Sequence, residues 1–87
     1  MARYSLEIKR SAVREIENLS NRKERRLVID RIANLAVDPH PAGAEKLAGE
    51  DRYRVRQGPY RVVYEIDDSS NVVRIVKVGH RREVYRR

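Results

Sequence analysis

Apolar and polar residues alternate along the 87-residue chain with two different periods, and the period changes from segment to segment. In the stretch YSLEIK, residues 4–9, every second residue is apolar, which predicts a short edge strand with one buried face. From Ser11, which we take as an N-cap, apolar residues recur every three or four positions as far as the stretch LSN. That spacing predicts a first helix.

A second helix follows, because Asn21 and Glu24 have the spacing of a capping box. An apolar stripe at helical spacing continues through Val28, Ile29, Ile32, Leu35 and Ala36. Asp38-Pro39 and Pro41 end this helix, since proline restricts the residue before it and has no backbone N–H to donate. The two helices are expected to form an antiparallel hairpin.

The last part of the chain returns to a period of two. Residues 44–51, AEKLAGED, predict a connector with one turn of helix. Strands are predicted for RYRVRQ, YRVVYEI and VVRIVKV, at residues 52–57, 60–66 and 72–78, with a turn at the intervening DDSSN. The element order is therefore β-α-α-β-β-β. We expect residues 1–87 to form a single α+β domain, in which a two-helix hairpin packs on one face of a small antiparallel sheet.

Composition argues against several classes of function. The chain has no cysteine and two isolated histidines, so a disulfide framework, thiolate chemistry and a bound metal or other cofactor are not expected. No apolar run reaches the roughly 20 residues that span a bilayer, and the basic start lacks the apolar stretch of a signal peptide. We expect a cytoplasmic protein.

Positive charge is concentrated in the C-terminal part of the sequence. The formal net charge is +7, and residues 52–87 carry ten basic and four acidic side chains, a net +6. This asymmetry favours a polyanionic partner, with nucleic acid ahead of an anionic membrane surface or an acidic protein. Basicity without a specific partner is the alternative at this point.

Three arginines are predicted to meet on the sheet face that the helices leave open. If the apolar residues of RYRVRQ pack under the helices, Arg54 and Arg56 lie on the opposite face. The short QGP connection then places Arg61 of the next strand across from them. Glu65 is the only acid on those two strand faces, so the cluster favours a bound anion such as phosphate. The alternative is an ordinary solvated strand face.

The chain closes with GHRREVYRR at residues 79–87. We expect Gly79 to release the chain from the sheet, so that His80, Arg81 and Tyr85 fold over the arginine cluster. The alternative is a frayed and solvated basic segment.

KLAGEDRYRVRQGPYRVVYEI followed by VKVGHRREVY resembles the RelE group of the RelE/ParE toxin superfamily. The resemblance runs across the whole chain and is most specific over residues 46–85. It implies two helices against an antiparallel sheet, in a toxin that cleaves messenger RNA in the A site of the 70S ribosome. It also implies a RelB-like antitoxin, with a flexible acidic or amphipathic segment, that holds the toxin inactive in a hetero-oligomer.

The resemblance also implies the site. In RelE-like toxins a basic pair, an arginine on the next strand and a basic-plus-tyrosine C-terminal segment cleave the RNA, and these correspond here to Arg54, Arg56, Arg61, Arg81 and Tyr85. The best-known members carry lysine at the first two positions. Because arginine stays protonated, a base role there is not expected, and His80, which titrates near neutral pH, becomes the candidate acid or base.

Cleavage without a metal needs a base for the 2′-OH, positive charge for the phosphate and an acid for the departing 5′-oxygen. The predicted catalytic residues are Arg61, His80, Arg81 and Tyr85, and the predicted RNA-binding residues are Arg54, Arg56 and Arg82. Arg61 and Arg81 are assigned to the developing charge on the phosphate. Tyr85 is assigned to stacking on a base and orienting the 2′-OH.

Two other functions compete with this hypothesis. A ParE-like toxin poisons DNA gyrase by protein contact and catalyses nothing, but such toxins generally lack the C-terminal basic-plus-tyrosine segment that is present here. A non-catalytic nucleic-acid-binding module would also explain the charge asymmetry.

Overall fold

The computed structural model describes residues 3–47, 49 and 51–80. Its elements are β1 (Ser5–Ile8), α1 (Arg10–Glu17), α2 (Arg22–Leu35), β2 (Glu45–Lys46), β3 (Arg52–Gln57), β4 (Tyr60–Asp67) and β5 (Val72–His80). The strands form one sheet in the order β1-β5-β4-β3-β2. The predicted α+β class, with two helices packed on a sheet, is confirmed. Neither of the two described helices combines the length and apolarity that crossing a membrane requires.

The sheet is mixed, whereas the sequence predicted an antiparallel one. β3 pairs antiparallel with β4, and β4 with β5, as expected, but β1 lies parallel to β5. A strand's alternating pattern shows which face is buried and carries no information about the direction of its neighbour. The direction of β1 therefore could not be predicted from YSLEIK alone.

The connector before β3 also differs from the prediction. Instead of a helical turn it contains the two-residue strand β2, whose Glu45 and Lys46 pair antiparallel with Arg54 and Tyr53. Gly43 precedes this strand with a φ of +91°, a backbone conformation that favours glycine. The turn at Gly43 allows the chain to come back alongside β3, so that β2 forms one edge of the sheet.

The helix boundaries follow the predicted signals in part. The side chain of Asn21 accepts a hydrogen bond from the backbone N–H of Glu24 at 3.0 Å, which confirms the predicted cap of α2. The cap predicted at Ser11 is wrong, because α1 begins at Arg10 and Lys9 is its N-cap. Ile29 was predicted to face the core but is 47% exposed, since it lies on the flank of α2 rather than on its buried face.

The core lies between the two helices and one face of the sheet. Its buried members come from α1, α2, the loop between them and the three long strands, and include Ile16, Val28, Val55, Val62 and Tyr64. Tyr64 is completely buried, stacks on Tyr53 and donates a hydrogen bond to the carbonyl oxygen of Pro39 at 2.8 Å. This packing fixes β3 and β4 against α2, and with them the side chains on the other face of the sheet.

Candidate functional site

The pairing register of β3 and β4 brings the predicted arginines together. Arg56 lies directly opposite Arg61, and Arg54 lies opposite Val63, the next residue on the same face of β4. On the other side of β4, Arg61 is opposite Gly79 of β5. Gly79 has no side chain, so β5 adds no bulk beside the Arg61 guanidinium. Arg56, Arg61 and Gly79 thus lie side by side across β3, β4 and β5, and the position of Gly79 has no side chain.

These arginines line a groove of about 320 Å³ at the β3 side of the sheet, called the arginine groove below. Among the residues that the structure describes, it is lined by Arg31, Gly43, Glu45, Arg54, Arg56 and Arg61. These described lining residues, four arginines and one glutamate, carry a formal charge of +3. The fourth arginine comes from α2 and was not predicted as a site residue. A groove with this charge is suited to a phosphate or another small anionic group.

Glu45 contributes a carboxylate to the arginine groove. Its Oε1 accepts a hydrogen bond from Nε of Arg54 at 3.1 Å and a second from a terminal nitrogen of the same guanidinium. This hydrogen bonding and the charge of Arg54 lower the pKa of Glu45, and the charges of Arg56 and Arg61 act in the same direction. The sequence predicted no acid among the three arginines. Glu45 belongs to β2, a strand that was not predicted, and it supplies one.

Glu65, the acid that the sequence did place on this sheet face, lies outside the groove. It accepts a hydrogen bond from Nε of Arg52 at 3.0 Å and pairs with Arg74 at 3.4 Å. Arg74 also pairs with Glu7 of β1 at 3.0 Å. These residues form a separate charge network across the sheet, so Glu65 is already engaged with cations other than those of the groove.

Arg61 is much less exposed than the sequence predicted. Only 5% of the residue is accessible to solvent, and its neighbour Val63 is 4% accessible. The sequence predicted an open sheet face, whereas Arg61 and Val63 are both buried on that face of β4. A guanidinium in this position is partly desolvated, so its charge interacts more strongly with a nearby anion than that of an exposed arginine.

His80 does not lie in the arginine groove. β5 continues through Gly79 to His80, so Gly79 does not release the chain from the sheet as predicted. His80 is opposite Tyr60, and the two rings meet edge to face at 6.1 Å. Tyr60 donates a hydrogen bond to Glu24 of α2 at 3.0 Å, which places this pair on the helix side of the sheet. Successive residues of a strand point to opposite faces of the sheet, so Gly79 and His80 lie on different faces.

The His80 side chain lines a second cavity, of about 390 Å³, together with Glu15, Leu19, Tyr60 and Lys77. Glu15 of α1 accepts hydrogen bonds from the backbone N–H of Val78 at 2.8 Å and from Nζ of Lys77 at 3.3 Å. The structure therefore brings together Arg54, Arg56 and Arg61, and it places His80 elsewhere.

The remaining predicted site residues, Arg81, Arg82 and Tyr85, lie outside the described residues. Within residues 3–47, 49 and 51–80, no group of three or more His, Cys, Asp or Glu side chains is arranged to hold a metal ion.

Known toxins have similar sequences and folds. Residues 6–85 match the family described as ParE toxin of type II toxin-antitoxin system, parDE. Toxin RelG of Mycobacterium tuberculosis is 32% identical over 87 residues, which cover 97% of this chain and 98% of the relative. The RelBE2 toxin-antitoxin complex of the same organism contains a chain that is 26% identical, with a TM-score of 0.78 over 92% of this chain and 93% of that chain.

The archaeal RelE-RelB complex from Pyrococcus horikoshii is similar to the same degree. Its matching chain is 26% identical and has a TM-score of 0.77, over 91% of this chain and 96% of that chain. These two structures share the arrangement of helices and sheet described above.

Proposed function

This chain belongs to the RelE group of the RelE/ParE toxin superfamily, and we propose that it is a ribosome-dependent endoribonuclease that cuts messenger RNA in the A site and so inhibits translation. The observation that carries the proposal is the arginine groove, in which Arg54, Arg56 and the buried Arg61 meet. The substrate would be single-stranded RNA, whose phosphates match these guanidiniums.

The proposed chemistry is attack of the 2′-oxygen on the adjacent phosphorus, which forms the O2′–P bond of a 2′,3′-cyclic phosphate and breaks the P–O5′ bond. The 2′-OH loses its proton, and the departing 5′-oxygen gains one to become a 5′-OH. Arg61 holds the additional negative charge that develops on the phosphate, and its burial makes that stabilisation strong. Arg54 and Arg56 hold the RNA backbone. Arg81 is proposed to share the role of Arg61 in holding this charge. Arg82 is proposed to bind the RNA together with Arg54 and Arg56.

Proton transfer needs a group that titrates, and arginine stays protonated throughout the working range of pH. Tyr85 is proposed to stack on a base and to orient the 2′-OH. His80 is the titratable residue that the sequence suggested as acid or base. Its position beside Tyr60 argues against direct contact with a phosphate in the arginine groove. We therefore propose no proton transfer by His80 from this geometry.

A second component of the proposal is an antitoxin partner. Two of the similar structures are complexes of RelE-type toxins with RelB-type antitoxins. We infer that a cognate antitoxin holds this toxin inactive in the cytoplasm, through an acidic or amphipathic segment that reaches the arginine groove. The formal charge of +3 on the described lining residues of the groove supports carboxylates as the groups that would occupy it.

The ParE-like alternative is favoured by one observation, the match of residues 6–85 to a family described by ParE toxins. The two activities separate in one pair of assays with the purified chain. For a RelE-type nuclease we expect cuts in a programmed messenger RNA that appear only when ribosomes are present, together with unchanged supercoiling by DNA gyrase. Inhibition of gyrase without any cut in the messenger would overturn the proposal in favour of the gyrase poison.

A further inference from the structure

Arg31 is the groove residue that neither the sequence pattern nor the resemblance indicated. It lies in the third turn of α2 and so belongs to the helix layer. This layer packs on one face of the sheet, and Arg54 and Arg61 lie on the other face. Its side chain is half-buried and still lines the arginine groove with them. The guanidinium therefore reaches the groove past the edge of β3, where β2 pairs only with Tyr53 and Arg54.

The surroundings of the Arg31 guanidinium leave it available for an anion. Its Nε is buried, and none of the residues that the structure describes accepts a hydrogen bond from it. Nor does a described carboxylate form an ion pair with Arg31. A buried donor without an acceptor destabilises the folded protein. A ligand in the groove would meet the terminal nitrogens of the same guanidinium, one of which lies beside Gly43.

The loop before β2 keeps the approach to Arg31 narrow but open. A Cβ atom added to Gly43 would lie 4.0 Å from a terminal nitrogen of Arg31, in ordinary contact. The φ of +91° at Gly43 also disfavours any other residue there. The backbone at Gly43 thus forms one wall beside the guanidinium, while Arg54, Arg56 and Arg61 line the other side of the groove.

From this arrangement we propose that Arg31 is a further RNA-binding residue, which holds the phosphate next to the one that Arg61 would hold at the cleavage step. The inference rests on the proposed function for the identity of the ligand as single-stranded RNA. Guanidiniums from two layers of the fold, meeting at one sheet edge, fit a chain of phosphates that bends around that edge. Arg31 would then contribute to binding the substrate and not to the chemical step.

The test compares Arg31→Gln with Arg22→Gln in the full chain. Arg22 is exposed and lies nine residues earlier in α2, which is two and a half turns and therefore the opposite side of the helix. The probe is a short single-stranded RNA with 2′-O-methyl groups, which cannot be cleaved by 2′-OH attack. Its affinity is measured over a range of salt concentrations. Thermal unfolding of each variant is followed in parallel.

The logarithm of the RNA association constant decreases linearly with the logarithm of the salt concentration. If Arg31 binds a phosphate, the magnitude of this slope should be smaller by about 0.7 in Arg31→Gln and equal to the parent's in Arg22→Gln. In the ribosome assay, Arg31→Gln should raise KM and leave kcat unchanged, as expected for a contact made equally in the ground and transition states. Arg31→Lys, which keeps the charge, should restore most of the slope.

A slope for Arg31→Gln equal to that of Arg22→Gln would overturn the inference. The same conclusion would follow if Arg31→Gln lowered the melting temperature but left the slope unchanged, because Arg31 would then be a structural residue only. The outcome is separable from failure of the proposed function. A parent chain that binds the RNA but never cuts messenger would refute the nuclease, while the salt slopes would still decide the role of Arg31.

Discussion

Glu45 of β2 forms an ion pair with Arg54 of β3 inside the arginine groove, so the protein places one of its own carboxylates where an RNA phosphate is proposed to bind. The Glu45 side chain is 61% exposed and that of Arg54 is 25% exposed. An exposed pair of this kind contributes little to stability. Its larger effect is on ligand binding, because an incoming phosphate must compete with Glu45 for Arg54.

The first prediction follows from that competition. Glu45→Gln should bind the 2′-O-methylated RNA about two- to fivefold more tightly at low salt, the range that corresponds to an exposed ion pair of up to roughly 1 kcal/mol. Glu7→Gln is the matched control, since Glu7 is a 55% exposed side chain paired with Arg74 outside the groove. Equal affinities for Glu45→Gln and Glu7→Gln would show that the pair does not compete with RNA.

Arg61 is expected to be the most sensitive groove residue in catalysis. Arg61→Ala should lower the rate of ribosome-dependent cleavage by on the order of 10²-fold, typical of losing one preorganised donor to a developing charge. Only 5% of Arg61 is exposed, so its replacement by alanine also removes a buried side chain. The stability of Arg61→Ala must therefore be measured by urea unfolding.

Two further variants make the Arg61 result interpretable. Arg61→Lys keeps the charge and most of the side-chain length but loses the planar pair of donors, so we expect an intermediate rate. Arg74→Ala removes an arginine of the separate charge network and should cleave at the parent's rate. A folded Arg61→Ala protein as active as Arg74→Ala would exclude the proposed role.

His80→Ala distinguishes a proton carrier from a packing residue. The imidazole meets Tyr60 edge to face on the helix side of the sheet, so its removal should lower the melting temperature and change the cleavage rate by less than about threefold. The pH–rate profile is the decisive measurement. Loss of one limb of the profile, together with a large loss of rate, would show that His80 transfers a proton despite its position.

The stability of the protein should fall at alkaline pH because of Tyr64. Burial raises the pKa of Tyr64 to about 12, whereas an unfolded tyrosine has its pKa near 10. Below pH 10 both states are neutral and the full stability is present. As the pH rises from 10 to 12 the unfolded state loses its proton first, so the free energy of unfolding should decrease by roughly 2–3 kcal/mol.

Urea unfolding at several pH values checks this decrease, with Tyr64→Phe as the control. The variant loses the hydrogen bond to the carbonyl of Pro39 and should be less stable at neutral pH by about 1 kcal/mol. Above pH 10 its stability should decline less steeply than that of the parent. Parallel curves for the two proteins would mean that other groups cause the alkaline loss.

The fifth prediction concerns the antitoxin. If its carboxylates occupy the arginine groove, binding should weaken as salt increases, and Arg54→Ala combined with Arg56→Ala should weaken it further while reducing the salt dependence. Arg22→Ala, on the far side of α2, serves as the control. Antitoxin binding that is unaffected by the double substitution would place the inhibitory contact away from the groove.

The parts of the fold that were predicted correctly depend on local patterns. β3 has the predicted bounds, 52–57, because its polar and apolar residues alternate without interruption. Asn21 caps α2 because a cap needs only a side chain and an N–H three residues later. The convergence of Arg56 and Arg61 follows from the same alternation together with a short connection between the strands.

The parts that were missed depend on contacts between distant segments. Arg31 reaches the groove from a helix, and no periodicity within α2 indicates which edge of the sheet its flank will meet. Glu45 belongs to a strand of two residues, which is too short to show an alternating pattern. His80 follows Gly79 directly in the sequence, but in an extended strand that single step moves a side chain to the opposite face.

The parallel pairing of β1 with β5 also has a consequence for folding during synthesis. Ser5 aligns with Val72 and Ile8 with Ile75, so an early strand obtains its partner only from a late one. Contacts this far apart in sequence form late and slowly during folding. A nascent chain therefore cannot close its sheet, or align Gly79 beside Arg61, until β5 has left the exit tunnel. A ribosome that synthesises this chain therefore carries no completed sheet until residues 72–80 have emerged.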